Sequence, residues 1–146
     1  MSSAKDRAER EERIRSLAVE LRLLEGAVQE LQARIGIINA SIRELTITNM
    51  TIEGLSNLEK GAEILVPIGS GSYAKARLED VEKVIMGIGA GVATEKPLDE
   101  ARRRVEEQLA ELQKLRASLE GQLIQTIERA EAIRSELQKI LSSERG

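Results

Sequence analysis

Glu63-Ile-Leu-Val-Pro-Ile-Gly-Ser-Gly-Ser-Tyr-Ala-Lys-Ala-Arg-Leu78 decides how this chain folds, because here the helical period of the sequence stops. Glu63 to Ile68 reads as a strand, and Pro67 assigns it to a sheet edge or a strand end, since proline has no N–H for a ladder. Gly69 to Ser72 is a turn, and Tyr73 to Leu78 is the returning strand. After Glu79-Asp80 the pattern repeats. Val81 to Ile88 contains a third strand, Gly89-Ala-Gly91 turns, and Val92 to Glu95 is a fourth. Two hairpins on their own bury too little to hold in water. Their apolar residues Ile64, Val66, Ile68, Val84, Ile85, Ile88 and Val92 therefore need a sheet from another chain, and the insert implies oligomerisation.

On the N-terminal side of the insert, apolar residues recur at alternating steps of three and four: Ile14, Leu17, Leu21, Leu24, Val28, Leu31, Ile35, Ile38, Ile42, Leu45, Asn49, Ile52. On the other side runs Leu98, Arg102, Val105, Leu109, Leu112, Arg116, Leu119, Leu123, Thr126, Ala130, Ile133, Leu137, Ile140. Both are coiled-coil seams. The first helix is expected from Ser3, a good N-cap, to Lys60 with Gly61 closing it, and the second from Pro97 to about Ser143. Helices of about 45 to 55 residues, roughly 65 to 80 Å each, need a partner along the seam. Antiparallel pairing matches Ile14 with Ile140, Leu21 with Ile133, Leu31 with Leu123, Ile38 with Arg116 and Asn49 with Val105. The short insert selects this register among whole-heptad alternatives by bringing Leu58 beside Pro97.

The expected fold is thus mainly α: a long antiparallel two-helix coiled coil with two β-hairpins at its base. Residues 1–60 form the first arm, 61–96 the double hairpin used for assembly, and 97–146 the second arm. Arg102 and Arg116 are expected to lay their stems on the seam with wet guanidinium heads, and Asn49 and Thr126 to act as register devices. Gly26, Gly36, Gly54 and Gly121 fall at outer heptad positions, so close packing across the seam does not account for them.

Composition bounds the chemistry. Of 146 residues, 41% are hydrophobic but only 1% aromatic, and 32% are charged, which suits narrow Leu/Ile/Val seams rather than a large globular core. The net charge of −3 gives no broad attraction to nucleic acid. With no Cys and no His, disulfides, thiolate metal sites and histidine bases are excluded, and no catalytic, cofactor-binding or metal-binding residues are assigned. Gly87-Ile-Gly-Ala-Gly91 lacks the following helix of a phosphate cradle and reads as a hairpin turn. Arg102-Arg-Arg104 sits among Asp99, Glu100, Glu106 and Glu107 as a salt-bridged face. The N-terminus is polar, unlike a signal peptide, and no apolar run is long enough for a membrane span.

One surplus stands out. Val19, Leu23, Ile37, Ile47, Ile124, Ile127 and Leu141 fall outside the seam, where a two-stranded coil is ordinarily wet. Most lie toward the chain termini, where end turns also fray. Ile14, Leu17, Val19, Leu23, Leu137, Ile140 and Leu141 are therefore expected to form an apolar landing surface at the coil tip.

Leu65-Val-Pro-Ile-Gly-Ser-Gly-Ser-Tyr-Ala74, Lys83-Val-Ile85, Ile88-Gly-Ala-Gly-Val92 and Glu95-Lys96, set between matched heptad helices, resemble the α class of the prefoldin family across nearly the whole chain. The resemblance implies a non-enzymatic, ATP-independent holdase chaperone of the cytoplasm. Two α-class and four β-class subunits would join hairpins into an intersubunit β-barrel body, here through Ile64, Val66, Ile68, Tyr73, Val84, Ile85, Ile88 and Val92. The coil tips would hold unfolded polypeptide clients and pass them to a group II chaperonin. No cofactor, nucleic acid or membrane partner is implied. The competing expectation is a structural coiled-coil adaptor that oligomerises through its insert.

Overall fold

The computed structural model describes residues 3–145, with side chains described to residue 143. The order is α1 (Ser3–Ser56), β1 (Glu63–Gly69), β2 (Ser72–Arg77), β3 (Lys83–Gly89), β4 (Val92–Pro97) and α2 (Leu98–Arg145). The chain divides into two compact units, one of residues 1–39 with 114–146 and one of residues 40–113.

The first unit is the terminal part of the coil. Leu17, Leu31 and Ile38 of α1 and Leu119, Ala130 and Ile133 of α2 are buried in its seam, and the other seam residues of this unit are half-buried. Three ion pairs cross between the helices: Arg13 with Glu136, Glu20 with Arg129 at 2.8 Å, and Glu25 with Arg134 at 3.3 Å. Each partner sits one position from a seam residue, and the expected register places the two seam residues in neighbouring layers. A slip of one heptad in either direction would carry at least one of these pairs about 10 Å further apart, beyond side-chain reach. All three pairs are exposed, so they report register more than they add stability. Arg116 does lie on the seam edge, half-buried, but its head is not simply wet. Its Nη1 donates to Asn39 Oδ1 at 2.9 Å, and its Nε lies 3.8 Å from Glu120. Thr126 donates its hydroxyl to Gln122 of its own helix at 2.7 Å, so it makes no cross-seam bond.

The second unit contains the base of the coil and both hairpins. Its core is Ile52 of α1 with Ala101 and Val105 of α2, and Leu45, Val84, Met86, Leu98 and Leu109 pack around it. Here the two-helix expectation needs correction. Arg102 is exposed and pairs with Glu106 at 3.1 Å, while Ala101, one residue earlier, is fully buried. The cause is β3. Val84 and Met86 bring a third apolar surface onto the core, and α2 turns its small alanine into it. Helix α1 also stops earlier than expected, at Ser56 rather than Lys60. Ser56 Oγ and Asn57 Nδ2 both donate to the Glu53 carbonyl, and Asn57 N and Leu58 N make tight three-residue closures to Gly54 and Leu55. Gly61, at φ 85°, donates to the Leu78 carbonyl at 2.7 Å instead of capping the helix. Pro97 ends β4 rather than opening α2.

Asn49 lies on the seam of this unit, and its Oδ1 is buried without a hydrogen-bond partner. An unsatisfied buried acceptor costs about 1–3 kcal/mol. Asn49→Leu is therefore expected to stabilise the chain by about that amount, read as a rise in the midpoint of helix unfolding. A fall would show that Asn49 is satisfied in solution.

The hairpins are two separate two-stranded sheets, β1 with β2 and β3 with β4. They repeat one another at a spacing of twenty residues. Glu63 faces Arg77 as Lys83 faces Pro97, and both ladders slip by one residue just before the turn, at Pro67/Gly69 and Gly87/Gly89. Both turns use two left-handed residues, Ser70-Gly71 at φ 50° and 73° and Ala90-Gly91 at φ 52° and 73°. This is the turn whose twist matches that of the flanking strands, and it favours Asn or Gly at the first position. Ala90 carries a Cβ in that conformation, at a cost of roughly 1 kcal/mol. Ala90→Gly should slow hydrogen exchange of the β3 and β4 amides severalfold, and unchanged exchange would remove the strain argument.

Candidate functional site

In the second unit the strand residues form an open, apolar ribbon. Alternation puts Ile64 and Val66 on one face of β1 and Leu65 on the other, and both faces reach solvent. Leu65, Ile68 and Tyr73 are 61%, 66% and 59% exposed, while Val66 is 40% exposed and Ile64 is half-buried. On the second hairpin Ile85, at 74%, is the most exposed of the large apolar side chains, and Ile88 and Val92 are open as well. Val84 differs. It points to the opposite face from Ile85 and packs half-buried on its own chain's core beside Met86. Sequence reading grouped Val84 with the strand residues offered to other chains; the alternation of β3 separates it from them. Leu65 was missed, although the same alternation flags it once the ribbon is known to be bare on both faces.

In the first unit the seven tip residues fall into two groups. Val19, Leu23 and Leu141 are exposed, at 54%, 70% and 48%. Leu17 is buried in the seam, and Ile14, Leu137 and Ile140 are half-buried there. Helical spacing puts Val19 and Leu23 side by side on the outer face of α1. Ile37, Ile124 and Ile127 are exposed too, as is Leu115, which the heptad reading passed over. A shallow groove between the helices is lined by Val28, Ile127 and Ala130 with Glu25, Glu131 and Arg134 on its rim. Such surfaces offer scattered apolar footholds among charges, without convergent polar groups. Among the described residues there is no group of three or more His, Cys, Asp or Glu placed to hold a metal ion, and no helix long and apolar enough to cross a membrane.

The comparisons with known proteins agree with this architecture. The family described as Prefoldin subunit matches residues 24–143. A prefoldin subunit alpha of Methanopyrus kandleri is 36% identical over 123 residues, 84% of this chain and 78% of that protein. A putative prefoldin subunit alpha of Aquifex aeolicus is 34% identical over 130 residues, covering 89% and 87%. Among solved structures, a chain of filamentous PFD from Methanocaldococcus jannaschii aligns with a TM-score of 0.67 at 27% identity, over 79% of this chain and 95% of that one. With two long helices around two antiparallel hairpins, and a family match over most of its length, the chain belongs to the prefoldin family of chaperones, among relatives named as its alpha subunit.

Proposed function

We propose that this chain is the α-class subunit of an ATP-independent holdase. Two copies join four β-class subunits through their hairpins, the coil ends hold unfolded polypeptide, and the cargo passes to a group II chaperonin in the cytoplasm. The observation that carries the reading is the pair of bare hairpins, whose exposed Leu65, Ile68, Tyr73, Ile85 and Val92 have no cover in their own chain. Strands in that state gain stability when other strands complete the sheet. Exposed Val19, Leu23 and Leu141 supply contacts that are individually weak. Several arms acting on one chain turn such contacts into useful avidity.

The test is a native mass of the chain with and without a β-class subunit, followed by aggregation of a denatured protein without nucleotide. A hexamer that suppresses aggregation supports the reading. A chain that assembles yet leaves aggregation untouched is an adaptor. A homotypic row is the second reading, favoured by the likeness to a chain from a filamentous assembly. In that case the chain alone would give an open-ended series of masses.

A further inference from the structure

The two hairpins repeat one another in their ladders but not in their attachment. A shift of twenty residues sets Ile64 against Val84, Val66 against Met86, Ala74 against Thr94 and Ala76 against Lys96, and in each hairpin these four share one face. In β3–β4 all four are half-buried, and Val84 and Met86 pack on the core of Ile52, Ala101 and Val105. In β1–β2 Val66 and Ala74 are exposed, and among the described residues neither strand contributes a side chain to that core or packs against it.

The connections differ as well. Strand β4 runs directly into α2. Leu98 N donates to the Glu82 carbonyl at 2.9 Å, which carries the ladder into the helix, and Lys96 pairs with Glu100 of the first helical turn at 3.1 Å. By contrast β1–β2 hangs between two loops, residues 57–62 and 78–82. Leu78 N donates to the Ala62 carbonyl at 2.9 Å and Arg77 Nη1 to the Gly61 carbonyl at 3.3 Å, so these closing bonds stay within the base of the hairpin itself.

A two-stranded hairpin alone in water is marginally stable at best, and local opening is easiest where few apolar contacts are buried. Opening β3–β4 would uncover Val84, Met86 and the fully buried Ala101. Opening β1–β2 uncovers little that is not already wet.

We propose that the hairpins have unequal roles: β3–β4 is a platform preformed in the single chain, whereas β1–β2 opens and closes there until strands of another chain close on it. The proposal rests on the hairpins being assembly elements. A partner meeting β1–β2 finds its binding shape in only a fraction of molecules, and the apparent affinity falls by that fraction. The platform carries no such penalty. It therefore seats first and the loose hairpin second, and loosening of an assembled particle begins at β1–β2.

Hydrogen exchange of the wild-type chain tests this, first diluted until its native mass is that of one chain and then in the particle. In the single chain the amides of residues 63–77 should exchange about tenfold faster, or more, than those of residues 83–97. Assembly should slow the first group more than the second. Matched turn substitutions give a second readout. Asn is favoured at the first position of this turn, so Ser70→Asn and Ala90→Asn each ease a left-handed residue. Ser70→Asn should populate closed β1–β2 and let the particle hold together at about fivefold lower concentration. Ala90→Asn should leave that concentration unchanged, because its hairpin is already closed. Equal protection of the two hairpins in the single chain, or equal effects of the two substitutions on the particle, overturns this proposal and leaves the assembly reading standing. A wild-type chain that never assembles overturns both.

Discussion

A particle whose chains lack residues 1–23 and 131–146 is expected to keep its mass and to lose suppression of aggregation for clients that depend on these arms. The cut leaves Leu24 facing Ala130 as the last seam layer and removes Val19, Leu23 and Leu141, the exposed apolar residues of the tip. It also removes Ile14, Leu17, Leu137 and Ile140, which the seam covers in the folded coil and which fraying would release. Each square ångström of apolar surface shared with a client is worth about 25 cal/mol, so a few such side chains per arm give weak, reversible contacts. Replacing only Val19, Leu23 and Leu141 with Ser should cut protection partly. The measurement is light scattering of a denatured protein at matched particle concentration. Full protection by the trimmed particle would move the grip to Ile37, Ile124, Ile127 or the hairpin body.

The second large effect concerns assembly. Ile85→Asp and Ile68→Asp place a carboxylate on strand positions that are 74% and 66% exposed in the single chain. They should leave the chain's helicity and thermal unfolding nearly unchanged. If other strands cover those positions, each carboxylate is buried without a partner, at a cost of several kcal/mol. The particle should then fall apart by a factor of a hundred or more in concentration. Val84→Asp is the instructive contrast. Val84 packs on Ile52, Ala101 and Val105, so its replacement should lower the stability of the chain itself, whatever happens to the particle. Circular dichroism with native mass separates the two behaviours. An Ile85→Asp chain that still runs at full particle mass would show that this face of β3 stays wet.

The heptads made most of the coil legible because burial in a two-helix seam follows sequence period directly: Leu17, Leu31, Ile38, Leu119 and Ile133 are buried where the pattern puts them. The period failed where the environment ceased to be two helices. Arg102 holds the heptad position, but β3 packs on the side of α2 that carries Ala101 and Val105, and Ala101 takes the buried place. No pattern within α2 announces a strand arriving from residues 83–89. The helix end at Ser56 was obscured in a similar way. Gly61 looked like a cap, yet the side chains of Ser56 and Asn57 close the helix first, and Gly61 serves the loop to Leu78. For the interaction surfaces, sequence showed which residues are apolar but not which are open. Leu17 and Leu23 look alike in the string, and they are 3% and 70% exposed.

On the assembly proposed above, the twenty-residue echo between the hairpins would give the chain a valence. Two hairpins with the same ladder slip and the same left-handed turn geometry would serve as two plugs on one molecule. A subunit with one plug terminates whatever it joins; a subunit with two can bridge. Once its first plug is seated, the second meets its socket at the high local concentration set by a five-residue tether, residues 78–82. The chain would then hold neighbours as a chelating ligand holds a metal. Losing one plug would cost more than half of the grip, and release would need both to open together.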